Sequence, residues 1–501
     1  MLPSQRHLAG SYLKPTLASE IGKKIQQLSP EKQILLQQRL RQARKADAAY
    51  AIPRRGPKDP RVLSFGQQQL WLVDQLTPGA SAYNVPYPVR IRGPLNVQAL
   101  QSALDAVVGR HEVLRTLFVN FKGQPLPLVA KQWSVEMGQV DLRNMSADER
   151  SDKVPGLLKD DAARSFNLAK DLKLRTTLYR LADEEYILLH VSHHISWDLR
   201  SKVIFYQELA PLYAAFCEGK EGRLPEPALQ YADFAAWQRK HLQGEILEKL
   251  ATFWKQQLGG APTKLELPAD HPRPPVQRLN GAKYTVPLRE EILASAQRVA
   301  QQSGATLYML LLSGFYVFLH CYTGETDISV GSPFAGRRKE TDAIIGMFIN
   351  TLVLRTKLSG ELTFRELMGR VRETTLGAIA NQDLPFEKIV EAVRPPRDLS
   401  RNALFQVNFR VQNAAPAKLE LAGLETESLD LVDNNTAKFD LALELPSSPQ
   451  SRGYFEYNTD LFERTTIARM ADDFHALLPA LMADPDKKLS ELEVVRRIRR
   501  Q

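Results

Sequence analysis

The sequence predicts an α/β fold built as two layered lobes, and three observations carry that prediction. Short apolar strand patterns alternate with helical periodicities along most of the chain. A proline-rich stretch at residues 258–277, which includes PADHPRPPV, divides this alternation in two. The order of elements after the break resembles the order before it, as an internal duplication would give, although no residue-level repeat is visible. At 501 residues and 44% apolar content, the chain has material for more than one core.

Residues 1–60 read as an appendage. Ser29, Pro30 and Glu31 form a helix start, with Ser29 as N-cap and proline at the first helical position. Ile34, Leu35, Leu36 and Leu40 then make an apolar stripe. Residues 51–60 (AIPRRGPKDP) are a linker. A short amphipathic helix on a proline-rich tether suits docking to another polypeptide, and an inter-domain linker is the alternative.

The first lobe, residues 61–257, opens with a helix beginning at Ser64. A strand at 87–91 and a helix at 97–108 follow, then the segment 114–121 and a helix near 153–164. A strand at 174–179 leads to a second strand ending in histidines. In FYQELAPLYAAF (205–216), Tyr206, Leu209, Leu212, Tyr213 and Phe216 share one helical face. The second lobe, residues 278–495, opens with a strand at 284–286, then helices at 291–302 and 307–320. A buried strand at 327–330 runs into a turn-rich loop, residues 331–337 (GSPFAGR), whose Gly, Ser and Pro content reads as irregular. Then come a strand at 351–356, a helix at 363–381, strands near 405–411, 439–445 and 453–457, and a helix at 465–482.

Charge and cysteine content exclude several function classes. The formal charge is +9 and the pI near 9.3, which raises nucleic acid as a partner. Residues 1–60 hold twelve Lys/Arg against four Asp/Glu, a net of +8, and the tail at 496–501 adds +4. The body is therefore at −3, whereas a nucleic-acid-binding enzyme places its basic residues on its body. The basic ends either meet an acidic protein partner or are solvated extensions. No stretch approaches ~20 consecutive apolar residues, so no membrane span is expected. The N-terminus lacks the apolar core of a signal peptide. Cys217 and Cys321 stand far apart, outside any metal-ligand spacing. These features predict a reducing, cytoplasmic setting without disulfides or zinc.

The chemistry concentrates in residues 188–201, LLHVSHHISWDLRS. The apolar run at 186–189 reads as a strand buried on both faces. Neighbouring strand side chains point to opposite faces. One of His193 and His194 therefore faces the interior of its own layer, and the other faces whatever lies across from it.

Seven motifs extend this signal in a fixed order. They are residues 64–72 (SFGQQQLWL), 110–118 (RHEVLRTLF), 193–198 (HHISWD), 231–237 (YADFAAW), 345–355 (IGMFINTLVLR), 381–387 (NQDLPFE) and 397–404 (RDLSRNAL). Together they closely resemble the ordered signature set of condensation domains from non-ribosomal peptide synthetases, over residues 61–495.

The resemblance implies two chloramphenicol acetyltransferase-like lobes that form a V-shaped pseudo-dimer around a central tunnel, within a monomeric chain. It implies an acyltransferase that joins a carrier-protein-bound acyl thioester to an amine. A donor carrier protein would serve one tunnel mouth. An acceptor carrier protein, or a soluble amine or alcohol, would serve the other. The phosphopantetheine arms belong to the carriers, so no cofactor or metal of the chain's own is implied. His194 is the tunnel-facing catalytic candidate, as a general base or as a group that positions the amine. His193 is expected to point into its own lobe. Asp198 is expected to be structural, paired with Arg337. Trp197, Leu199 and Ser201 are substrate-tunnel candidates. Arg115 reads as a structural donor, and Trp71, Trp237 and Phe386 read as packing.

Leu199 departs from the family pattern, which has glycine there. A positive φ at this position would cost a leucine ~1–2 kcal/mol. Two further readings stand beside amide formation. One is a free-standing chain-releasing enzyme that forms an ester or amide with a soluble acceptor. The other, favoured by Leu199, is a catalytically silent module that recruits carrier proteins or tailoring enzymes. Heterocyclisation is disfavoured because that branch replaces both histidines with aspartate.

Overall fold

The computed structural model describes residues 51–56, 58–286, 288–412, 417–429, 432–448 and 452–500. The helix expected from Ser29 onward lies outside the described residues. Residues 54–501 form one compact unit.

The elements of the first half follow from local sequence. Helix α1 (Phe65–Leu76) is capped by Ser64, with Gln67 completing a capping box. After β1 (Asn84–Arg92), Asn96 caps α2 (Val97–Arg110). Strands β2 (Thr116–Phe121) and β3 (Gln124–Val129) form a hairpin. Next come β4 (Met137–Asp141), α3 (Ala147–Ala163), β5 (Leu174–Ala182) and β6 (Glu185–His193). Helices α4 (Leu199–Cys217), α5 (Tyr231–His241) and α6 (Gly244–Leu258) close this half.

The second half runs β7 (Gly281–Val286), α7 (Glu290–Gln302), α8 (Leu307–Thr323), β8 (Asp327–Ala335) and β9 (Ile349–Lys357). It continues with α9 (Phe364–Ala380), α10 (Phe386–Val393), β10 (Val407–Gln412), β11 (Glu425–Ser428), β12 (Leu441–Pro446) and β13 (Gly453–Asn458). Helices α11 (Arg464–Ala483) and α12 (Glu493–Ile498) end the chain.

Two sheets organise these elements. The first has the order β11-β1-β6-β5-β4 and the second β7-β13-β12-β10-β8-β9. Helix α8 is buried without interruption from Met309 to Cys321, and its apolar surface is the centre of the second core. Among the described residues no single helix is long and apolar enough to cross a membrane.

The structure corrects the sequence-based boundaries at four places. Strand β8 continues to Ala335, so most of the expected 331–337 loop is strand, paired with β9 from Gly331↔Val353 to Ala335↔Ile349. A Cβ at Gly331 would sit 2.0 Å from the Phe405 ring, so here glycine permits close packing, not a turn. Helix α6 belongs to the second core: Trp254 and Leu258 are buried there, and the Trp254 indole donates to the Asn381 carbonyl at 3.1 Å. Strand β11 leaves the second half altogether and pairs with β1, from Val89↔Ser428 to Arg92↔Glu425. The boundaries 61–257 and 278–495 are thus each crossed by the chain. The basic tail expected at 496–501 is not a free extension either. Ile498 is buried in the second core beside Val495, and Arg497 pairs with Asp473 at 3.2 Å.

Candidate active site

Strand β6 presents its residues alternately to two faces. Leu189 and Val191 join the first core with Ile187, and His193 lies on that side against the edge of Phe166 at 5.8 Å. His193 is buried, and its Nδ1 accepts the Ile195 N–H at 3.1 Å. Burial, then the Lys173 ammonium, hold its pKa well below the usual imidazole range.

After β6 the backbone makes a single 3₁₀ turn, His194–Ser196. The His194 N–H donates to the Tyr83 carbonyl at 2.9 Å, which fixes the turn to the start of β1. The His194 Nδ1 lies 3.0 Å from the Trp197 carbonyl. A carbonyl only accepts, so Nδ1 carries the proton and Nε2 keeps a free lone pair. The side chain is half-buried. Burial, reinforced by the Lys438 ammonium, pushes its pKa down to about 3, so the ring is neutral at physiological pH.

Asp198 lies beyond this turn, and its carboxylate is held by Ser201, Arg337 and Phe348. As N-cap of α4 it accepts from the Ser201 N–H and the Ser201 hydroxyl, each at 2.8 Å. Arg337 meets it in a fork, Nε to Oδ2 at 3.0 Å and Nη2 to Oδ1 at 2.7 Å. The Phe348 N–H adds a further bond at 3.3 Å. Arg337 also donates to the carbonyls of Thr341 (2.6 Å) and Ile344 (2.9 Å), and its guanidinium lies 4.2 Å from the Phe348 ring. Both partners are buried, and every lone pair of the carboxylate has a donor. This cluster clamps the start of α4 to the segment between β8 and β9.

Two of the tunnel candidates are placed elsewhere. Ser201 is fully buried inside the clamp, where its hydroxyl donates to Asp198 and accepts the Gly346 N–H at 3.0 Å, so it lines no open space. A Cβ at Gly346 would meet the Tyr231 ring at 2.0 Å, which explains glycine in the GMF motif. Trp197 is fully buried and packs edge-on against Phe205 at 5.5 Å, so it is core. Leu199 is 47% exposed as the first residue of α4, and it is absent from the positive-φ residues. Leucine therefore carries no backbone strain here.

Arg115 donates to the carbonyls of Gly109 and Ala130 and lies 4.5 Å from the Trp133 ring. Trp71 is buried in the first core, and Phe386 packs partly buried against the second. The Trp237 ring stacks on His241 at 4.6 Å and lies 4.5 Å from the Arg338 guanidinium.

Sequence reasoning missed a third histidine. His190 is fully buried, bonds the Tyr206 hydroxyl through Nε2 at 2.9 Å and packs on Tyr87 at 5.1 Å. Its place on the strand that leads into His193 and His194 was a readable signal. Lys438, whose field reaches His194, belongs to no motif.

The family model described as "Condensation domain" matches residues 58–501. The chain belongs to the condensation-domain family. This condensation domain is 42% identical over 443 residues to one of the linear gramicidin synthase proteins of Brevibacillus parabrevis, covering 88% of this chain and 6% of the synthase. It is 38% identical over 481 residues to the phosphinothricin tripeptide synthetase PhsC of Streptomyces viridochromogenes, covering 95% of this chain and 44% of that protein. The chain thus spans less than half the length of either relative. Among solved structures, the X-domain from teicoplanin biosynthesis superposes with a TM-score of 0.81 at 27% identity, over 88% of this chain and 99% of that one. The X-domain in its complex with OxyB gives 0.78 at 27% identity, over 89% of this chain and 99% of that one. The condensation domains of non-ribosomal peptide synthetases are therefore its homologues.

Proposed function

We propose that this condensation domain forms an amide by acyl transfer from a carrier-bound thioester to an amine. The observation that carries the reading is the state of His194: neutral, with its tautomer fixed by the Trp197 carbonyl and its Nε2 lone pair unengaged among the described residues. The amine nitrogen attacks the thioester carbonyl carbon, the C–S bond breaks, and the carrier's thiol leaves. Nε2 first accepts a hydrogen bond that orients the amine. Once nitrogen bonds to carbon it becomes cationic and acidic, so even a weakly basic imidazole can take its proton. That proton then goes to the departing sulfur. A resting pKa near 3 favours positioning over prior deprotonation as the larger part of this role.

In this reading the lobes form a V around a tunnel that holds His194, with a donor carrier at one mouth. An acceptor carrier, or a soluble amine or alcohol, approaches from the other. Phosphopantetheine arrives on the carriers, and the chain supplies no cofactor of its own. The Asp198–Arg337 cluster holds the His194 turn in place and takes no proton.

The test mixes the protein with an acyl-loaded donor carrier and candidate amines and follows acyl loss by intact mass. His194→Ala is expected to lose about 10²-fold or more in rate. Full turnover in that variant would overturn the assignment. The X-domain likeness supports a second reading, a module that recruits another protein without catalysis. Absence of product with every donor–acceptor pair would favour it. Leu199 no longer argues for it, because the helix accommodates that residue without strain.

A further inference from the structure

One face of the second sheet is polar where a core face would be apolar. Its register aligns Arg410, Glu444 and Tyr454 in one row, and Ala442, Glu456 and Lys283 in the next. Lys438 lies on the segment that leads into β12. Its carbonyl accepts from Asn402 at 3.0 Å and from Gln277 at 3.2 Å, which anchors the backbone. Its ammonium lies 4.7 Å from the Tyr83 ring, and the Tyr83 carbonyl receives the His194 N–H. Lys438 is therefore linked through Tyr83 to the backbone of His194, and the fields of Lys438 and Arg410 reach the imidazole.

Arg410 and Glu444 are already matched to each other. Glu444 accepts from the Tyr454 hydroxyl at 2.7 Å and from Gln412, and pairs with Arg410. Asp433 accepts the backbone N–H groups of Lys283 and Asn435, while the Lys283 ammonium, like that of Lys438, lies over a ring, that of Tyr454 at 5.0 Å. Among the described residues, Lys438 has no carboxylate within ion-pair distance and rests only on an aromatic ring. Glu456, the carboxylate whose field acts most on it, also makes no direct contact. Burial brings the lysine pKa down to about 8. A half-buried ammonium with only the field of Glu456 against it gains when an anion reaches it directly.

We propose that Lys438 is a subsite for a carboxylate carried by the substrate next to His194. The inference rests on the acyl-transfer reading and names the substrate class that reading leaves open. The carboxylate belongs either to the donor acyl group or to the acceptor, since both meet at His194. A permanent charge gains from Lys438 in the bound state and the transition state alike, so the preference falls on KM.

The test uses N-acetylcysteamine thioesters in matched pairs, carboxylate against the isosteric amide, with one series as donor and one as acceptor. In one series the carboxylate substrate is expected to lead by about tenfold in kcat/KM. Lys438→Met should bring that ratio to about one, Lys438→Glu should invert it, and Lys438→Arg should retain it. Calorimetric binding of the same pairs to wild type and K438M reads the subsite whether or not product forms. Absence of product with every pair, beside a Lys438-dependent difference in binding, sinks the acyl-transfer reading and keeps the subsite. Equal affinity for carboxylate and amide, or a uniform kcat loss in K438M for all substrates, overturns the subsite.

Discussion

His190, His193 and His194 crowd the end of one strand, and burial depresses all three pKa values, to about 3 for the first and last. The unfolded chain binds these protons near pH 6.5, while in the fold His190 and His194 refuse them down to about pH 3 and His193 is depressed in the same direction. Between these limits the unfolded state holds more protons, so stability falls as the pH drops. Each histidine contributes about 1.4 kcal/mol per pH unit in that window. Denaturant midpoints measured from pH 7 to pH 4 should fall steeply, and His190→Gln should reduce the slope by up to about 1.4 kcal/mol per pH unit. A flat profile in wild type would mean that these rings are charged in the fold. Leu199 gives a second check at this scale. Because it occupies helical φ, Leu199→Gly should lower stability by up to ~1 kcal/mol, read as a shift in Tm. A gain in stability would mean that leucine is strained there after all.

At the scale of elements, the Asp198–Arg337 clamp ties α4 to the strand pair β8–β9. Its removal leaves one buried charge without a partner, a cost of about 3–5 kcal/mol. Asp198→Ala should therefore lower Tm and disorder the His194 turn. The double variant D198L/R337M should regain part of the stability without regaining turnover. If D198A kept both, the pair would be incidental. Several elements were legible because local chemistry and tertiary packing agree there. The α8 apolar run, the helix start at Ser64 and the β6 run are examples. Strand β8 was not, since Gly331, Ser332 and Pro333 carry turn propensity and only Phe405 and β9 override it. Ser201 misled for a related reason: its spacing from His194 places it near the site, but its hydroxyl is taken by Asp198.

For the whole molecule, the two-sheet architecture could be read from the alternation of elements, but the lobe boundaries could not. The segment ETES of β11 has neither apolar alternation nor length, and its place beside β1 is decided by partners more than three hundred residues away. Likewise α6 is drawn into the second core through Trp254 and Leu258, which no local pattern specifies. A fragment of residues 61–257 should consequently melt without cooperativity and bind a hydrophobic dye. Co-production with residues 258–500 should restore a single transition. A sharp melt from the fragment alone would show that the first half is self-sufficient.

The β11 crossing also sets an order of events during synthesis. Until Glu425 leaves the ribosome, β1 presents an open edge, with unpaired N–H and C=O groups available to any other strand. At about 5–20 residues per second, the nascent first half spends on the order of ten seconds or longer in that condition. Protection of that edge must come from speed, from chaperones, or from the two prolines that β1 carries, Pro86 and Pro88, which cannot donate to a foreign strand.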